Sequence, residues 1–269
     1  MKYEPIKHSL SAIVKKSTTV QIVFYKLIDL LLLRAWHIKK ELRSIRKTIG
    51  SEARVLDGGM GMGQYDYYMS CLSRQWKIKG VDIQQVHVDD SQQFFNRLGK
   101  GEQVQFEVAD LTKFKEENSY NLIISVDVME HIEDDDQVFK NFYDSLRMGG
   151  VLLVSTPSDQ GGSDVHDNDE HSFIDEHVRD GYNIDDIRKK LSNAGFQKVE
   201  AKYSYGKPGQ ISWRWSMKYP ITMLNKSKLF ALILPFYYLI VFPFCLILNY
   251  FDLHGKHLSG TGLIVKAWK

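Results

Sequence analysis

The stretch VLDGGMGMGQY, residues 55–65, places near-alternating glycines directly after a short apolar run. Glycines at such a strand-to-helix turn let a ligand approach the backbone without meeting a Cβ atom. The dinucleotide fingerprint G-x-G-x-x-G is not met, because Gln64 stands at the position of its third glycine. Asp57, two positions before Gly59, suits a positively charged ligand better than a pyrophosphate. The stretch therefore predicts a cofactor loop of another kind.

From residue 53 onward, short apolar runs alternate with longer stretches of helical spacing. Five of these runs predict strands: ARVLD, KIKGVD, VQFEVAD, YNLIISVD and GGVLLVST. Runs that are apolar on both faces and separated by helices indicate a parallel sheet covered by helices on each side. FQKVEAKYSY and the terminal TGLIVKAW predict two further strands. The predicted fold class is therefore α/β.

The pattern D-x-G-x-G-x-G at residues 57–63 resembles motif I of the class I S-adenosylmethionine-dependent methyltransferases. GVDIQ, EVADLT, SVDVMEH and LRMGGVLLVSTP follow in the order of that family's later motifs, with Met148 where proline is usual. The resemblance covers roughly residues 50–205 and 258–269. It implies a Rossmann-like, doubly wound sheet of seven strands in the order 3-2-1-4-5-7-6, whose last strand is antiparallel.

The same resemblance implies that S-adenosylmethionine is the cofactor. Asp82 stands where the family binds the ribose hydroxyls, and Ile83 stands where an apolar side chain lies against adenine. Asp110 stands where an acidic residue accepts from the adenine amino group, with Leu111 packed nearby. Alternatively, Asp82 and Asp110 only cap strand ends. The full set expected to bind the cofactor is Asp57, Gly59, Gly61, Gly63, Asp82, Ile83, Asp110, Leu111, Val126 and His131.

The loop at residues 158–181 leaves the fifth strand where the family's substrate often sits, and it supplies candidates for a general base. Methyl transfer to oxygen or carbon requires removal of a proton, and His166, His171 and His177 lie in this loop. The alternative is a solvated acidic loop whose histidines do no chemistry.

Asp127, Glu130 and His131 lie at D-x-x-E-H spacing and raise the alternative of a metal site. Related metal-using members of the family carry a similar arrangement, but with Glu at the first position, and E-H is common in members without metal. In-line methyl transfer depends on positioning and desolvation and needs no metal. We therefore expect none.

The stretch LFALILPFYYLIVFPFCLIL, residues 229–248, contains no charge and is long enough to span a membrane. A single crossing would leave TGLIVKAW on the far side, where it could not join the sheet. Pro235 and Pro243 are expected to break the run into pieces of about two turns. Three interpretations stay open: a buried helical insertion or dimer contact, an interfacial or re-entrant hairpin, and a double crossing, which the shortness of the pieces disfavours.

Residues 20–47 lack Gly and Pro and predict one long helix or two short ones. This segment either packs on the core or forms a lid or interfacial helix. The predicted organisation is an N-terminal helical cap at residues 1–49 and a methyltransferase domain at residues 50–269, which includes an apolar helical insertion at residues 206–257. Membrane contact is expected through residues 20–38 and 229–248.

The chain has a formal net charge of +2, and the motif N/D-P-P-Y/F is absent after the fourth strand, where SVDVMEH stands. We therefore expect no nucleic-acid substrate. Cys71 and Cys245 cannot build a disulfide framework, and MKYEPIKHSL lacks the pattern of a signal peptide. The expected location is the cytoplasm, peripheral on the inner membrane face.

The resulting functional prediction is in-line methyl transfer from S-adenosylmethionine to a small lipophilic or lipid-linked acceptor. A soluble small-molecule O-methyltransferase, acting on a quinone-like or sugar acceptor, is the alternative. A noncatalytic S-adenosylmethionine-binding protein is a third possibility. Composition and motifs leave the acceptor, the methylated atom and the oligomeric state open.

Overall fold

The computed structural model describes residues 17–161 and 178–269. The described residues contain seven strands that form one sheet. The strands are Arg54–Gly58 (β1), Lys77–Asp82 (β2), Val104–Val108 (β3), Tyr120–Val126 (β4), Leu146–Pro157 (β5), Lys198–Ser204 (β6) and Gly262–Trp268 (β7). Their order in the sheet is β3-β2-β1-β4-β5-β7-β6, so the predicted order is confirmed.

The helices precede, connect and follow these strands. The α-helices are Thr18–Leu31 (α1), Leu33–Ile49 (α2), Gln64–Leu72 (α3), Gln85–Arg97 (α4), Asp135–Ser145 (α5), Ile184–Ala194 (α6), Lys207–Trp213 (α7), Tyr219–Lys226 (α8) and Leu234–His254 (α9). Short 3₁₀ turns lie at Met129–His131 and Lys228–Leu232, and a π turn lies at Arg214–Lys218.

The strand directions bring the ends of several strands to one edge of the sheet. β1, β2, β3, β4 and β5 pair in parallel. β7 runs antiparallel to both β5 and β6, with Val154 opposite Val265 and Ala201 opposite the same residue. β6 therefore runs in the same direction as β5, and its carboxyl end lies at the edge where ligands of open α/β sheets bind.

Two cores cover the two faces of the sheet. Successive residues of a strand point to opposite faces, and β1 illustrates this with Leu56 and Val55. Leu56 packs with Phe139 and its neighbours under α5 and α6, whereas Val55 packs with Leu42 under α2, α3 and α4. The continuous apolar runs of the strands follow from this burial on both faces.

The N-terminal segment forms two helices, which meet at Leu32, where the backbone is extended. α2 packs on the sheet through Ile38, Leu42 and Ile45. α1 leaves an apolar face in solvent, and its exposed large apolar residues are Val20, Val23, Leu27 and Leu30. The cap boundary at residue 49 stays a prediction.

The apolar run differs from its sequence-based prediction in one respect. Pro235 and Pro243 do not break it into short pieces, because α9 is continuous from Leu234 to His254. Pro235 lies in the first turn, where the missing N–H has no helical partner to lose. Pro243 lies inside the helix and costs it one backbone hydrogen bond. With 21 residues, the helix is about 32 Å long.

α9 is mostly unburied. Only Cys245, Asn249 and Asp252 of this helix are buried. Within the described ranges it is the one helix that is long and apolar enough to cross a membrane. The last turns are anchored in the protein, because the Asp252 side chain is fully buried.

Candidate active site

The glycine loop after β1 is held against the end of β2 by its own backbone. The amides of Gly59 and Met60 donate to the Val81 carbonyl at 2.8 and 3.0 Å. The Gly61 amide donates to Oδ2 of Asp82 at 2.9 Å. These bonds fix the loop at the carboxyl edge of the sheet.

Two glycines of the loop serve different purposes. Gly59 has a φ of +85°, and a Cβ atom there would lie 2.3 Å from Cγ2 of Val128. Gly61 has a φ of +55°, but no protein atom lies within 4 Å of the position of its Cβ. Gly59 is therefore required by the packing of the loop, whereas Gly61 leaves space in which a ligand can approach the backbone.

Asp82 ends β2 as an ionised hydrogen-bond acceptor. Its Oδ1 accepts from the Gln84 amide at 2.8 Å, and Nδ1 of His87 lies 3.4 Å from Oδ2. Burial opposes ionisation, but His87 and the amides of Gln84 and Gly61 outweigh it and lower the pKa of Asp82. The neighbouring Ile83 is 70% exposed, which leaves its apolar side chain free to lie against a planar ring.

Asp110 follows β3 and is held by its own turn. Its Oδ1 accepts from the amide and the hydroxyl of Thr112 at 2.9 and 2.7 Å. These hydrogen bonds lower the pKa of Asp110. Lys113 lies 3.6 Å from Oδ2. Leu111 is buried beside it, in the core under α5 and α6. Asp110 thus offers a fixed carboxylate near the rim of the site.

Asp57 and Asp66 place two carboxyl groups below the glycine loop. Asp57 is the penultimate residue of β1 and is 1% exposed, and its Oδ2 has no hydrogen-bond partner. Asp66, in the first turn of α3, is fully buried, and neither of its oxygens has a partner. Burial, followed by repulsion from Asp66 and Asp82, raises the pKa of Asp57 well above its ordinary value.

The cap helices reach over this site. Tyr25 of α1 is buried, and its hydroxyl donates to the Met62 carbonyl in the glycine loop. Nε2 of Gln64 donates to Oδ1 of Asp29 at 2.7 Å, which ties α3 to α1. α1 is therefore a cover over the loop, and it excludes water from one side of the site.

The end of β4 is joined to the cap by an ion pair. Arg34 of α2 pairs with Asp127, which follows Val126 and has a φ of +52°. The Arg34 amide donates to the Tyr205 hydroxyl at 3.0 Å. Charge interactions with Tyr65 and Tyr205 raise the pKa of Arg34 against the opposing effect of burial. No sequence motif assigned Arg34 to the site.

The 3₁₀ turn at Met129–His131 carries the remaining predicted residues of this edge. Glu130 is buried, its Oε2 accepts from the Thr156 hydroxyl at 3.0 Å, and burial raises its pKa. His131 is half-buried. In the described part of the chain, no three potential metal ligands form a cluster. Asp127 is engaged by Arg34 instead.

His166, His171 and His177, the candidate bases, lie outside the described residues. The described chain on either side of them adjoins the site. Ser158 follows β5 and donates its amide to Thr261, and the Val178 amide donates to the Glu130 carbonyl at 3.1 Å. The role of His166, His171 and His177 as general bases stays a prediction.

The described residues fit S-adenosylmethionine. The cofactor needs room beside the loop backbone, which Gly61 leaves, and an acceptor for ribose hydroxyls, which the ionised Asp82 supplies. It also carries cationic groups, and Oδ2 of Asp57 is a buried acceptor that has no hydrogen-bond partner within the protein.

Residues 24–201 match the family described as "Methyltransferase domain". The match covers more than half of the chain, and the chain therefore belongs to this family. Its family and its fold are those of the class I S-adenosylmethionine-dependent methyltransferases, whose cofactor is S-adenosylmethionine. The resemblance to that family in the glycine loop is confirmed.

Among curated proteins, the chain is similar to phosphoethanolamine N-methyltransferases. It is 32% identical over 160 residues to phosphoethanolamine N-methyltransferase 1 of Triticum aestivum, which covers 55% of this chain and 29% of the relative. It is 32% identical over 166 residues to phosphoethanolamine N-methyltransferase 1 of Arabidopsis thaliana, which covers 55% and 30%. The chain thus spans less than a third of the length of these relatives.

Solved structures share the fold. Phosphoethanolamine N-methyltransferase 2 of Haemonchus contortus, in complex with S-adenosyl-L-methionine, aligns with a TM-score of 0.58 and 19% identity, covering 84% of this chain and 51% of the other. The [4+2]-cyclase SpnF aligns with a TM-score of 0.57 and 18% identity, covering 87% and 82%. A methyltransferase and a cyclase on one fold show that the fold alone does not define the reaction.

Proposed function

We propose that this chain transfers the methyl group of S-adenosylmethionine to a small lipophilic or lipid-linked acceptor at the cytoplasmic face of a membrane. The observation that carries the proposal is the long exposed apolar face of α9 and the 3₁₀ turn before it. Its side chains, each more than half exposed, are Leu229, Leu232, Ile233, Phe236, Leu239, Ile240, Phe244, Ile247, Tyr250 and Phe251.

An apolar face of this size is unusual on a protein that meets only water. Fully burying one Leu or Phe side chain contributes about 1.5–3 kcal/mol. Three such side chains in lipid supply about 4.5–9 kcal/mol, which is the scale of millimolar to micromolar binding. The face therefore has enough apolar area to hold the protein on a bilayer.

The residues beside α9 suit the headgroup region of a bilayer. Lys226 and Lys228 are exposed just before the helix, where they can meet anionic lipid. Trp215 and Tyr219 are also exposed, and the Tyr237 hydroxyl donates to the Trp215 carbonyl at 2.8 Å. Aromatic side chains with one polar end favour the boundary between lipid and water.

The apolar insertion begins at the edge of the sheet that carries the cofactor loop. It follows β6, whose carboxyl end lies on the same side as that of β5. Tyr205, the residue after β6, accepts from the Arg34 amide, and Arg34 pairs with Asp127 at the end of β4. A lipid-borne acceptor held by α9 would thus meet the site from its open edge.

The N-terminal segment proposed to contact the membrane is shorter than the predicted range of residues 20–38. Leu33, Ala35 and Ile38 are buried in the protein. Of the N-terminal helices, α1 is the one that presents an exposed apolar face, so the proposed membrane contact is limited to α1 and α9.

The chemistry proposed for this site depends on positioning. When bound, S-adenosylmethionine supplies a methyl carbon activated by a sulfonium. The glycine loop and Asp82 orient the cofactor, and α1, through Tyr25, excludes water. Alignment of this kind accounts for a large share of the rate in methyl transfer.

The test is transfer of a labelled methyl group to two separate extracts, one of membrane lipids in vesicles and one of soluble metabolites. We expect label in the lipid extract. Label only in the soluble extract would overturn the lipid acceptor, and no label in either would favour a noncatalytic role.

A soluble acceptor is the second candidate, and the curated relatives favour it. These relatives are named for phosphoethanolamine, a small soluble amine. Phosphoethanolamine added alone to the labelled reaction distinguishes the two, since rapid transfer without vesicles supports the soluble acceptor. The quinone-like and sugar acceptors of the O-methyltransferase alternative are tested in the same way.

A further inference from the structure

Asp57 and Asp66 form a buried carboxyl pair. The sequence motif identifies Asp57 as a cofactor-binding residue but does not identify Asp66. Three of their oxygens lack any hydrogen-bond partner: Oδ2 of Asp57 and both oxygens of Asp66. The two side chains are 1% and 0% exposed. Buried ionised carboxylates are normally paired with a cation or with several donors.

No cation of the protein serves the pair within the described residues. Tyr65 interacts with both Asp57 and Arg34, and the guanidinium of Arg34 pairs with Asp127. The titratable groups that face the pair from the surrounding elements are Tyr25 of α1, Tyr65 of α3 and Asp82 of β2. All of these are neutral or acidic.

In the cofactor-free protein, a proton retained on the pair lowers the free-energy cost of burying two carboxyl groups side by side. Burial raises the pKa of Asp66 to about 7. Asp57, whose pKa is raised as well, lies beside it. Two carboxyl groups this close share one proton near neutral pH, because both cannot ionise without a counter-charge.

We propose that Asp66 is a second cofactor-positioning residue, which joins Asp57 to receive the α-ammonium group of S-adenosylmethionine and releases the shared proton to solvent as the cofactor binds. Three unpaired acceptor oxygens match the three N–H donors of an ammonium. A sulfonium has no donor and would leave these oxygens unsatisfied. This inference rests on the cofactor assignment and is independent of the acceptor.

The pH dependence follows from the sign of the linkage. Below about pH 7 the free pair holds its proton, and the ammonium must displace it. Cofactor affinity should therefore fall as the pH drops from 8 to 6, with about half a proton released per cofactor bound near pH 7 and nearly one near pH 6.

Titration calorimetry of the whole chain in two buffers of different ionisation enthalpy measures this proton directly. Three probes separate the parts of the cofactor: S-adenosylmethionine, S-adenosylhomocysteine and 5′-methylthioadenosine, which lacks the ammonium. We expect proton release with the first two and none with the third. Because this measurement uses the unaltered protein, it does not depend on the folding of any variant.

Asp66→Asn should abolish the proton release. It should also weaken the binding of S-adenosylmethionine and S-adenosylhomocysteine at least tenfold and change the affinity for 5′-methylthioadenosine less than twofold. Asp89→Asn, the same change on an exposed residue of α4, should alter none of these values. Equal weakening of all three probes by Asp66→Asn would mean a purely structural role and would overturn the proposal.

Proton release with S-adenosylmethionine alone would also overturn it, since the pair would then face the sulfonium. Failure of all three probes to bind the unaltered protein would instead contradict the cofactor assignment itself. If no lipid acceptor is methylated, the calorimetric results expected for the three probes stay the same.

Discussion

Nε2 of His37 lies 2.9 Å from Oδ1 of Asp252, and both side chains are buried. This contact joins the cap helix α2 to the last turn of α9. The same carboxylate accepts from the amides of Tyr205 and Gly209 at 3.2 and 3.1 Å. The carboxyl end of the exposed helix is therefore attached to the elements that support Arg34 and the end of β4.

We expect Asp252→Ala to destabilise the protein by about 3–5 kcal/mol, because it leaves His37 and two backbone amides buried without their acceptor. Urea unfolding followed by circular dichroism measures the loss. The matched control is Asp185→Ala, which removes an exposed partner of Arg188 and should cost less than about 1 kcal/mol. Equal costs for the two variants would contradict the role given to Asp252.

Gly59→Ala and Gly61→Ala should separate loop packing from cofactor binding. The first introduces a Cβ atom 2.3 Å from Val128 and should lower the melting temperature, whereas the second meets no protein atom within 4 Å. Both residues have positive φ, so each variant also carries some backbone strain. We expect Gly61→Ala to weaken S-adenosylmethionine binding at least tenfold, with the smaller loss of stability.

Thermal unfolding and calorimetry on the same samples test this pair. Gly59→Ala combined with Val128→Ala should recover part of the lost stability. A Gly61→Ala protein with full cofactor affinity would contradict the approach of the cofactor at that residue.

The cofactor-free protein should lose stability as the pH rises towards neutral. The folded chain holds a proton on Asp66 up to about pH 7, whereas an unfolded carboxyl releases it near its ordinary pKa. The folded state thus binds more protons in that window, and its stability falls with increasing pH. At pH 8, Asp66→Asn should be more stable than the unaltered protein by about 1 kcal/mol or more.

Melting temperatures at pH 5 and pH 8 check the sign, because the difference between the two proteins should shrink at pH 5. A stability gap that is the same at both values, or that favours the unaltered protein at pH 8, would contradict the raised pKa of Asp66.

Binding to anionic vesicles should depend on the exposed face of α9. Leu239→Glu with Ile240→Glu places two charges on side chains that are 76% and 67% exposed. We expect this double variant to lose at least tenfold in vesicle flotation while its unfolding curve is unchanged, since neither residue is buried. Met148→Glu, at a 73% exposed apolar residue on β5, is the control and should float normally. Unaltered flotation of the double variant would remove α9 from the membrane contact.

The sheet order and the glycine loop were predictable because their signals are local. Asp57, Gly59 and Asp82 stand at the ends of apolar runs, and loop chemistry collects at the carboxyl ends of parallel strands. The continuity of α9 was not predictable in the same way. A proline in the first turn of a helix costs nothing, and only the start of the helix at Leu234 places Pro235 there.

Arg34 and Asp66 required the tertiary structure for a different reason. Periodicity predicts which residues share a helical face, but it does not say what that face meets. Arg34 meets Asp127 of a distant strand, and Asp66 meets Asp57 across the loop. From the sequence alone, a charged residue at either position could equally face solvent, because its partner is known only from the tertiary structure.

The most direct measurement of the central claim is the rate of labelled methyl transfer from S-adenosylmethionine to the lipid extract in vesicles, compared between the unaltered protein and Leu239→Glu with Ile240→Glu. We predict that the double variant binds the cofactor with unchanged affinity and loses at least tenfold in transfer to lipid. Equal rates for the two proteins, or label that enters only soluble acceptors, would contradict the account.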